Sequence, residues 1–254
     1  MSSDSANAIE VKNLKLGYDG QIILQNLNFV VRRGEVFVIL GGSGSGKSTL
    51  LKHMIGLYPP LEGEIWIGDE NLVGASDEKR RQILARFGVM YQSGALFGSM
   101  TVLENVLLPL DTFTALPPAA KEFIALAKLK LVDLAEASAK MPAELSGGMQ
   151  KRAAIARAMA LDPGILFLDE PSAGLDPITS ADLDALIRLL ACDFGITFVI
   201  VTHELPSIYA IADRVIMLDA KSKTIIAEGK PEELRQHAKD LWVRQFFNRE
   251  PSKN

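Results

Sequence analysis

The sequence predicts an α/β fold: a mixed sheet core carrying a phosphate-binding loop, an antiparallel β subdomain and an inserted helical subdomain. Three observations predict it. An apolar run at residues 36–40 meets the stretch Gly41-Gly42-Ser43-Gly44-Ser45-Gly46-Lys47-Ser48-Thr49, which leads into the largely apolar residues 50–55. That is strand, glycine-rich loop, helix. Further short apolar runs, at 87–91, 165–168 and 197–201, have the length of buried strands. From Gln92 to about Asp162 the strand pattern is missing, and helical patterns fill the gap.

The pattern Gly-x-x-x-x-Gly-Lys-Ser between a strand and a helix is that of a P-loop. Its glycines let the backbone curl, so that successive N–H groups point at one phosphate chain. The positive end of the following helix adds to that anion site. Lys47 would reach the β- and γ-phosphates, and the Ser48 hydroxyl would ligate Mg²⁺. A dinucleotide fingerprint begun at Gly42 and Gly44 fails, because its last glycine would fall on Lys47. A flexible linker does not sit between a buried strand and an apolar helix.

The 254 residues are 48% apolar and 23% charged, enough to bury a sizeable core in one large domain. A net charge of −4 and a pI of about 5.5 advertise no basic field, so no nucleic-acid partner is expected. The lone cysteine, Cys192, lies in the apolar helical pattern of Leu186, Ile187, Leu189 and Leu190. It reads as a buried thiol in a reducing compartment, not as a nucleophile. Residues 1–10 carry no signal-peptide pattern. The longest apolar runs, such as 196–201, are too short to span a bilayer, so a soluble, cytoplasmic chain is expected.

In chain order, residues 9–16 alternate apolar and polar, the mark of a strand. Gly17-Tyr18-Asp19-Gly20 reads as a turn, and 22–31 as further strand. The short connection makes these strands antiparallel. Tyr18, by spacing alone, is an ordinary surface aromatic. After the P-loop helix, 64–67 reads as strand, 77–86 as a charged helix and 87–91 as strand ending at Gln92. Residues 93–100 form an apolar loop with Leu96, Phe97 and Met100, which either fill a helical core or form a groove for a membrane partner's helix. Thr101-Val102-Leu103-Glu104 is a capping box that starts a helix. Pro117-Pro118 introduces a second helix to about Lys130, and 132–139 reads as a third.

Leu145-Ser146-Gly147-Gly148 opens a helix at 149–161. Ser146 is a good N-cap, and the glycine pair leaves the helix start open to an anion; on these residues alone the plain cap and the anion site both stand. The strand at 165–168 ends in Asp169-Glu170, at the carboxyl edge of the sheet where the P-loop also lies. Asp169 suits a Mg²⁺ shell, and Glu170 can orient or polarise an attacking water. Asp176 lies in the loop that follows, before a helix at 180–193. His203 ends the strand at 197–201 and is a candidate γ-phosphate contact. His53 and His237 have no such context and receive no assignment. Residues 213–219 and 224–228 form a terminal hairpin, and 231–236 a short helix. Leu241, Trp242, Val243, Phe246 and Phe247 make the tail, about 237–254, too apolar to stay exposed, so it packs on the domain or on another subunit.

Together these motifs resemble the nucleotide-binding subunits of ABC transporters over nearly the whole chain. Leu145-Ser146-Gly147-Gly148-Met149-Gln150 is similar to the ABC signature. The resemblance implies a single domain of residues 1–254, a P-loop NTPase of the ABC ATPase type with its helical subdomain at about 93–161, which binds and hydrolyses ATP with Mg²⁺. It implies that Tyr18 stacks on adenine, in place of the surface reading, and that Gly41 to Thr49 hold the phosphates. Ser48, Gln92 and Asp169 would surround Mg²⁺, Gln92 also touching the water and sensing the membrane partner. Glu170 would be the catalytic base, His203 and Lys47 would contact the γ-phosphate, and Asp176 would lie in the loop lining the subunit interface. Ser146, Gly147 and Gly148 would capture the γ-phosphate of ATP held by the other subunit of a homodimer. Met149 departs from the glutamine common at this place, which leaves phosphate capture to the backbone.

Residues 92–102 with Glu104-Asn105-Val106, residues 145–157 and residues 174–180 are similar to the Mla-type phospholipid transporters. Such systems maintain outer-membrane lipid asymmetry. They pair the ATPase with an integral-membrane permease and an MCE-type lipid-binding protein, and a small STAS-domain subunit often joins. The resemblance implies lipid movement between inner and outer membrane, with this chain held on the cytoplasmic face of the inner membrane by its permease. Two rivals are an importer ATPase for a small polar solute and a non-transport ABC ATPase, such as an iron–sulfur assembly factor.

Overall fold

The computed structural model describes residues 7–18 and 20–251. Residues 1–6, Asp19 of the expected turn and the last three residues of the tail lie outside the described residues. Among the described residues ten strands follow in chain order: β1 (Asn7–Tyr18), β2 (Gln21–Arg32), β3 (Val36–Gly41), β4 (Glu62–Ile67), β5 (Glu70–Asn71), β6 (Phe87–Met90), β7 (Ile165–Asp169), β8 (Thr197–Val201), β9 (Arg214–Asp219) and β10 (Thr224–Gly229). The helices are α1 (Lys47–Met54), α2 (Asp77–Leu84), α3 (Val102–Phe113), α4 (Pro118–Leu131), α5 (Gly147–Ala158), α6 (Pro177–Phe194), α7 (Leu205–Ile211), α8 (Pro231–His237) and α9 (Leu241–Asn248).

The strands form two sheets. One is antiparallel, in the order β2-β1-β4-β5. The other runs β10-β9-β3-β8-β7-β6; its first five strands in the chain are parallel, and β10 turns back antiparallel on one edge. The fold class is therefore the expected α/β one, with a mixed sheet.

Strand β3 is buried at every position, and its alternation splits it between two cores. Val36, Val38 and Leu40 share a cluster with Val106 of α3, Leu129 of α4, Ile155 of α5 and Ile187 of α6. Phe37 and Ile39 join Leu50 and Met54 of α1 and Leu14, Leu24 and Leu27 of the antiparallel sheet. A strand covered on both faces needs an unbroken apolar run, which is what residues 36–40 supply.

Helix α5 lies so close to β6 that Gly88 has no room for a side chain. A Cβ there would stand 2.0 Å from the Ala158 carbonyl oxygen and 2.7 Å from a Leu166 methyl. Backbone cannot yield as a flexible side chain would. Gly88→Ala is expected to cost about 2 kcal/mol or more, read as a lower denaturation midpoint in urea. An unchanged midpoint would refute the close approach.

Three expectations are corrected. Residues 132–139 do not form a third helix. After α4, Asp133 takes a left-handed conformation (φ 58°), and the Leu134 N–H returns 2.8 Å to the Leu129 carbonyl, closing the helix; a single 3₁₀ turn, Ala135–Ala137, follows. Helix α6 starts three residues before Ser180. Asp176 caps it, its carboxylate accepting from the N–H groups of Ile178 and Thr179 at 3.0 and 3.1 Å, with Pro177 at the first helical position. Cys192 is exposed, not buried. It stands nine residues, two and a half turns, from the buried Leu183, so the helix turns it to the opposite face. The aromatic tail settles on its own chain: α9 buries Val243 and Phe247, and the Tyr209 hydroxyl donates 2.9 Å to the Phe247 carbonyl. Among the described residues, no helix is long and apolar enough to cross a membrane.

Candidate active site

Register alone brings the carboxyl ends of four strands together. Val201 of β8 stands opposite both Asp169 of β7 and Ile39 of β3, while Met90 of β6 is opposite Leu168. All four strands are parallel, so the residues just beyond these pairs fall on one edge. These are Gly41 to Thr49, Gln92, Glu170 and His203.

The phosphate loop is built as its glycines require. Gly44 and Gly46 have φ of 73° and 90°, the left-handed region that other residues avoid. A Cβ on Gly41 would meet the Ser45 hydroxyl at 2.3 Å. The Ser45 N–H donates to the Gly42 carbonyl at 3.2 Å, and Lys47 Nζ donates to the carbonyls of Gly41 and Gly42 at 2.9 and 3.0 Å. Ser45 Oγ is buried with no protein partner, an orphan polar atom inside the loop that suits a polar ligand. Ser43 and Thr49 flank the curve, and Thr49 also lines the neighbouring cleft.

Facing the loop stand the carboxylates. Ser48 Oγ lies 3.5 Å from Asp169 Oδ1. Glu170 is buried and held in a left-handed conformation (φ 48°), its N–H donating 2.8 Å to the Val201 carbonyl. A non-glycine residue pays for that conformation, and such residues cluster at working sites. Glu170 Oε1 is 2.8 Å from His203 Nδ1, whereas Oε2 is buried and unpartnered. The histidine's other side is open to solvent.

Burial pushes the Lys47 ammonium pKa down, and the charges of Glu170 and Asp169 push it back. Burial pushes the Asp169 carboxyl up, and the Glu170 charge adds to the rise, against the Ser48 hydrogen bond, Lys52 and Lys47. A carboxylate in that position gains from a cation. The hydroxyl of Ser48 and the carboxylate of Asp169, with the amide of Gln92 lining a cleft of about 560 Å³ beside Asp169, are oxygen donors that fit Mg²⁺.

Tyr18 lines a separate cleft of about 620 Å³ with Thr49, Lys52, Tyr58 and Leu61, adjoining the P-loop helix. Its ring packs at 5.6 Å from the ring of buried His53 and 5.2 Å from Tyr58. His53 Nδ1 donates to the Thr49 carbonyl at 2.8 Å, and burial pushes its pKa down, that hydrogen bond opposing the shift. This histidine, unassigned in the sequence reading, backs the Tyr18 ring.

Ser146 and Gly147 are exposed at the start of α5. Ser146 caps the helix, accepting from the Met149 N–H at 3.3 Å. A Cβ on Gly147 would stand 3.4 Å from a Leu175 methyl, in the loop before α6, whereas Gly148 is buried and a Cβ there would meet the Thr179 methyl, at the start of α6, at 2.4 Å. The structure thus gathers the P-loop, Gln92, Asp169, Glu170 and His203 at one sheet edge, sets Tyr18 in the cleft beside the P-loop helix, and leaves Ser146 and Gly147 exposed at a separate helix start, with Gly148 buried behind them.

Two neighbours escaped the sequence reading. Lys151 is buried, and its ammonium donates to the Gln92 carbonyl. Trp242 of α9 lies 3.5 Å from where a Cβ on Gly42 would stand. No local signal marks either one.

The ABC transporter family model matches residues 24–173. The intermembrane phospholipid transport system ATP-binding protein MlaF of Haemophilus influenzae is 41% identical over 245 residues, covering 96% of this chain and 91% of that protein. The probable ribonucleotide transport ATP-binding protein mkl of Mycobacterium leprae is 39% identical over 241 residues, covering 95% and 69% respectively. Among solved structures, the dimeric bacterial ABC transporter cassette MJ0796 superposes with a TM-score of 0.78 and 34% identity, over 87% of this chain and 98% of that one. The same cassette is also known as a post-hydrolysis dimer bound to ADP and phosphate.

Proposed function

Because the chain belongs to the ABC transporter family and is an ATPase, we propose that it is the ATP-hydrolysing subunit of a phospholipid transport system between inner and outer membrane, working as a homodimer. In this reading Tyr18 stacks on adenine, and residues 41–49 wrap the phosphates. Lys47 and His203 neutralise charge on the γ-phosphate. Ser48, Asp169 and Gln92 hold Mg²⁺, which when bound offsets the β- and γ-phosphate charge. Glu170 takes the proton of the attacking water; its unpartnered Oε2 is free to do so. Ser146 and Gly148 of the partner subunit close on the γ-phosphate through the helix start. Positioning and charge neutralisation carry the reaction, with no covalent intermediate.

The observation that carries the lipid assignment is the nearly full-length similarity to MlaF. The mkl similarity favours a second reading, transport of a polar solute such as a ribonucleotide. A membrane partner is supported by an apolar cleft of about 430 Å³ lined by Leu84, Phe87, Val89, Phe97, Leu108 and Phe113. Leu96 packs inward, but Phe97 is 50% exposed, so the loop after Gln92 offers its largest ring to a partner and not to the core. A permease helix would fill this cleft and hold the chain on the cytoplasmic face. An MCE-type protein and a STAS-domain subunit complete the assembly we propose.

Reconstituted with its permease, the complex should move labelled phospholipid on ATP addition and leave labelled ribonucleotide in place; the reverse outcome would overturn the lipid reading. Phe97→Asp should leave the isolated subunit's melting temperature and ATP binding unchanged, yet abolish co-purification with the permease. A variant that still co-purifies would remove Phe97 from the docking surface.

A further inference from the structure

The segment after β6 has no secondary structure, and its backbone carbonyls need partners. Helix α5 supplies them. Lys151 donates to the Gln92 carbonyl; Arg157 donates through Nη2 to Gly94 at 2.8 Å and through Nη1 to Ala95 at 2.7 Å. Between these cations, Ala154 Cβ lies 3.6 Å from where a Cβ on Gly94 would stand. Ala95 is itself held in a left-handed conformation (φ 48°). Three carbonyls within four residues are thus taken by two cations of one helix. That helix begins at Gly147, one turn before Lys151.

Lys151 is only 7% exposed. Burial pushes its ammonium pKa down, and the nearby charges of Glu170 and Asp169 oppose the shift. A buried ammonium is costly to desolvate, and a methionine of similar length would fill the same space without that cost. What a lysine adds over that methionine is a directed charge on the Gln92 carbonyl.

We infer that Lys151 and Arg157 are positioning residues that fasten the segment from Gln92 to Ala95 onto α5, so that Gln92 moves with the helix start at Ser146 to Gly148. The inference rests on the ATPase reading of the site given above. When that helix start closes on the partner subunit's nucleotide, Gln92 is set beside Asp169 by the same rigid body.

The test is steady-state ATP hydrolysis by the full-length chain carrying Lys151→Met. The expected result is a kcat lower by about 10- to 100-fold, the scale of a small misplacement of a reacting group, with the KM for ATP and the melting temperature little changed. Lys151→Arg, which keeps charge and donors, should recover most of the rate. Wild-type kcat in Lys151→Met would overturn the inference. So would a loss matched by a lower melting temperature that Lys151→Arg does not rescue, since that marks a purely structural role. Should Lys151→Met not fold, Arg157→Lys, which keeps the charge but loses the two-pronged grip on Gly94 and Ala95, must lower kcat without raising KM; unchanged turnover in a folded Arg157→Lys overturns the inference. Glu170→Gln is run in parallel. If Glu170→Gln is inactive and Lys151→Met is normal, only the positioning role falls; if Glu170→Gln turns over normally, the site reading itself falls.

Discussion

Glu170→Gln stops turnover, with steady-state hydrolysis falling by about 10²-fold or more while ATP binding survives. The carboxamide keeps the shape of the carboxylate and can still meet His203 Nδ1, 2.8 Å from Oε1 in the wild type. What it loses is basicity at Oε2, the buried oxygen that has no protein partner. The Lys47 hydrogen bonds to the carbonyls of Gly41 and Gly42 do not involve Glu170, so the phosphate loop keeps its form. Phosphate release and nucleotide binding, measured on the same preparation, check this. Hydrolysis near the wild-type rate would remove Glu170 from the role of base.

Ser146→Arg keeps the chain monomeric in Mg-ATP, where the Glu170→Gln background alone should double in mass by light scattering. The two candidate phosphate sites of one chain lie apart: the P-loop at the sheet edge, and the exposed start of α5. A second copy, placed head to tail as a dimeric cassette would be, puts both sites on one nucleotide. A long side chain at Ser146 fills the space the phosphate would enter. The lost cap costs only about 1 kcal/mol, so the subunit still folds. In an otherwise wild-type chain the same substitution should lower kcat by about 10²-fold, the scale of removing a donor from a developing charge. Dimerisation as strong as before would refute capture by the partner subunit's helix start.

The sequence by itself determined most of the order of strands and helices, missing the short β5 and α7 and adding a helix at 132–139, because strands covered on both faces must be unbroken apolar runs, and capping residues mark helix starts locally. Thr101 and Glu104 form the expected capping box around α3. It also placed the P-loop, Asp169, Glu170 and His203 at strand ends, since parallel strands share one carboxyl edge. Other features escaped it, some set by a local backbone reversal and others by distant parts of the chain. Periodicity marked an apolar stripe on α6 but did not show which side faces the core, so Cys192 was placed inside when it is outside. A backbone reversal at Asp133 ended a helix whose composition would have let a further one form. Only the tertiary structure turned Lys151 inward onto Gln92 and bent Glu170 into a left-handed conformation beside His203. Both require the packing of α5 against β6 and of β7 against β8, segments far apart in the chain, and it is this non-local packing that holds the strained glutamate and the buried ammonium in place.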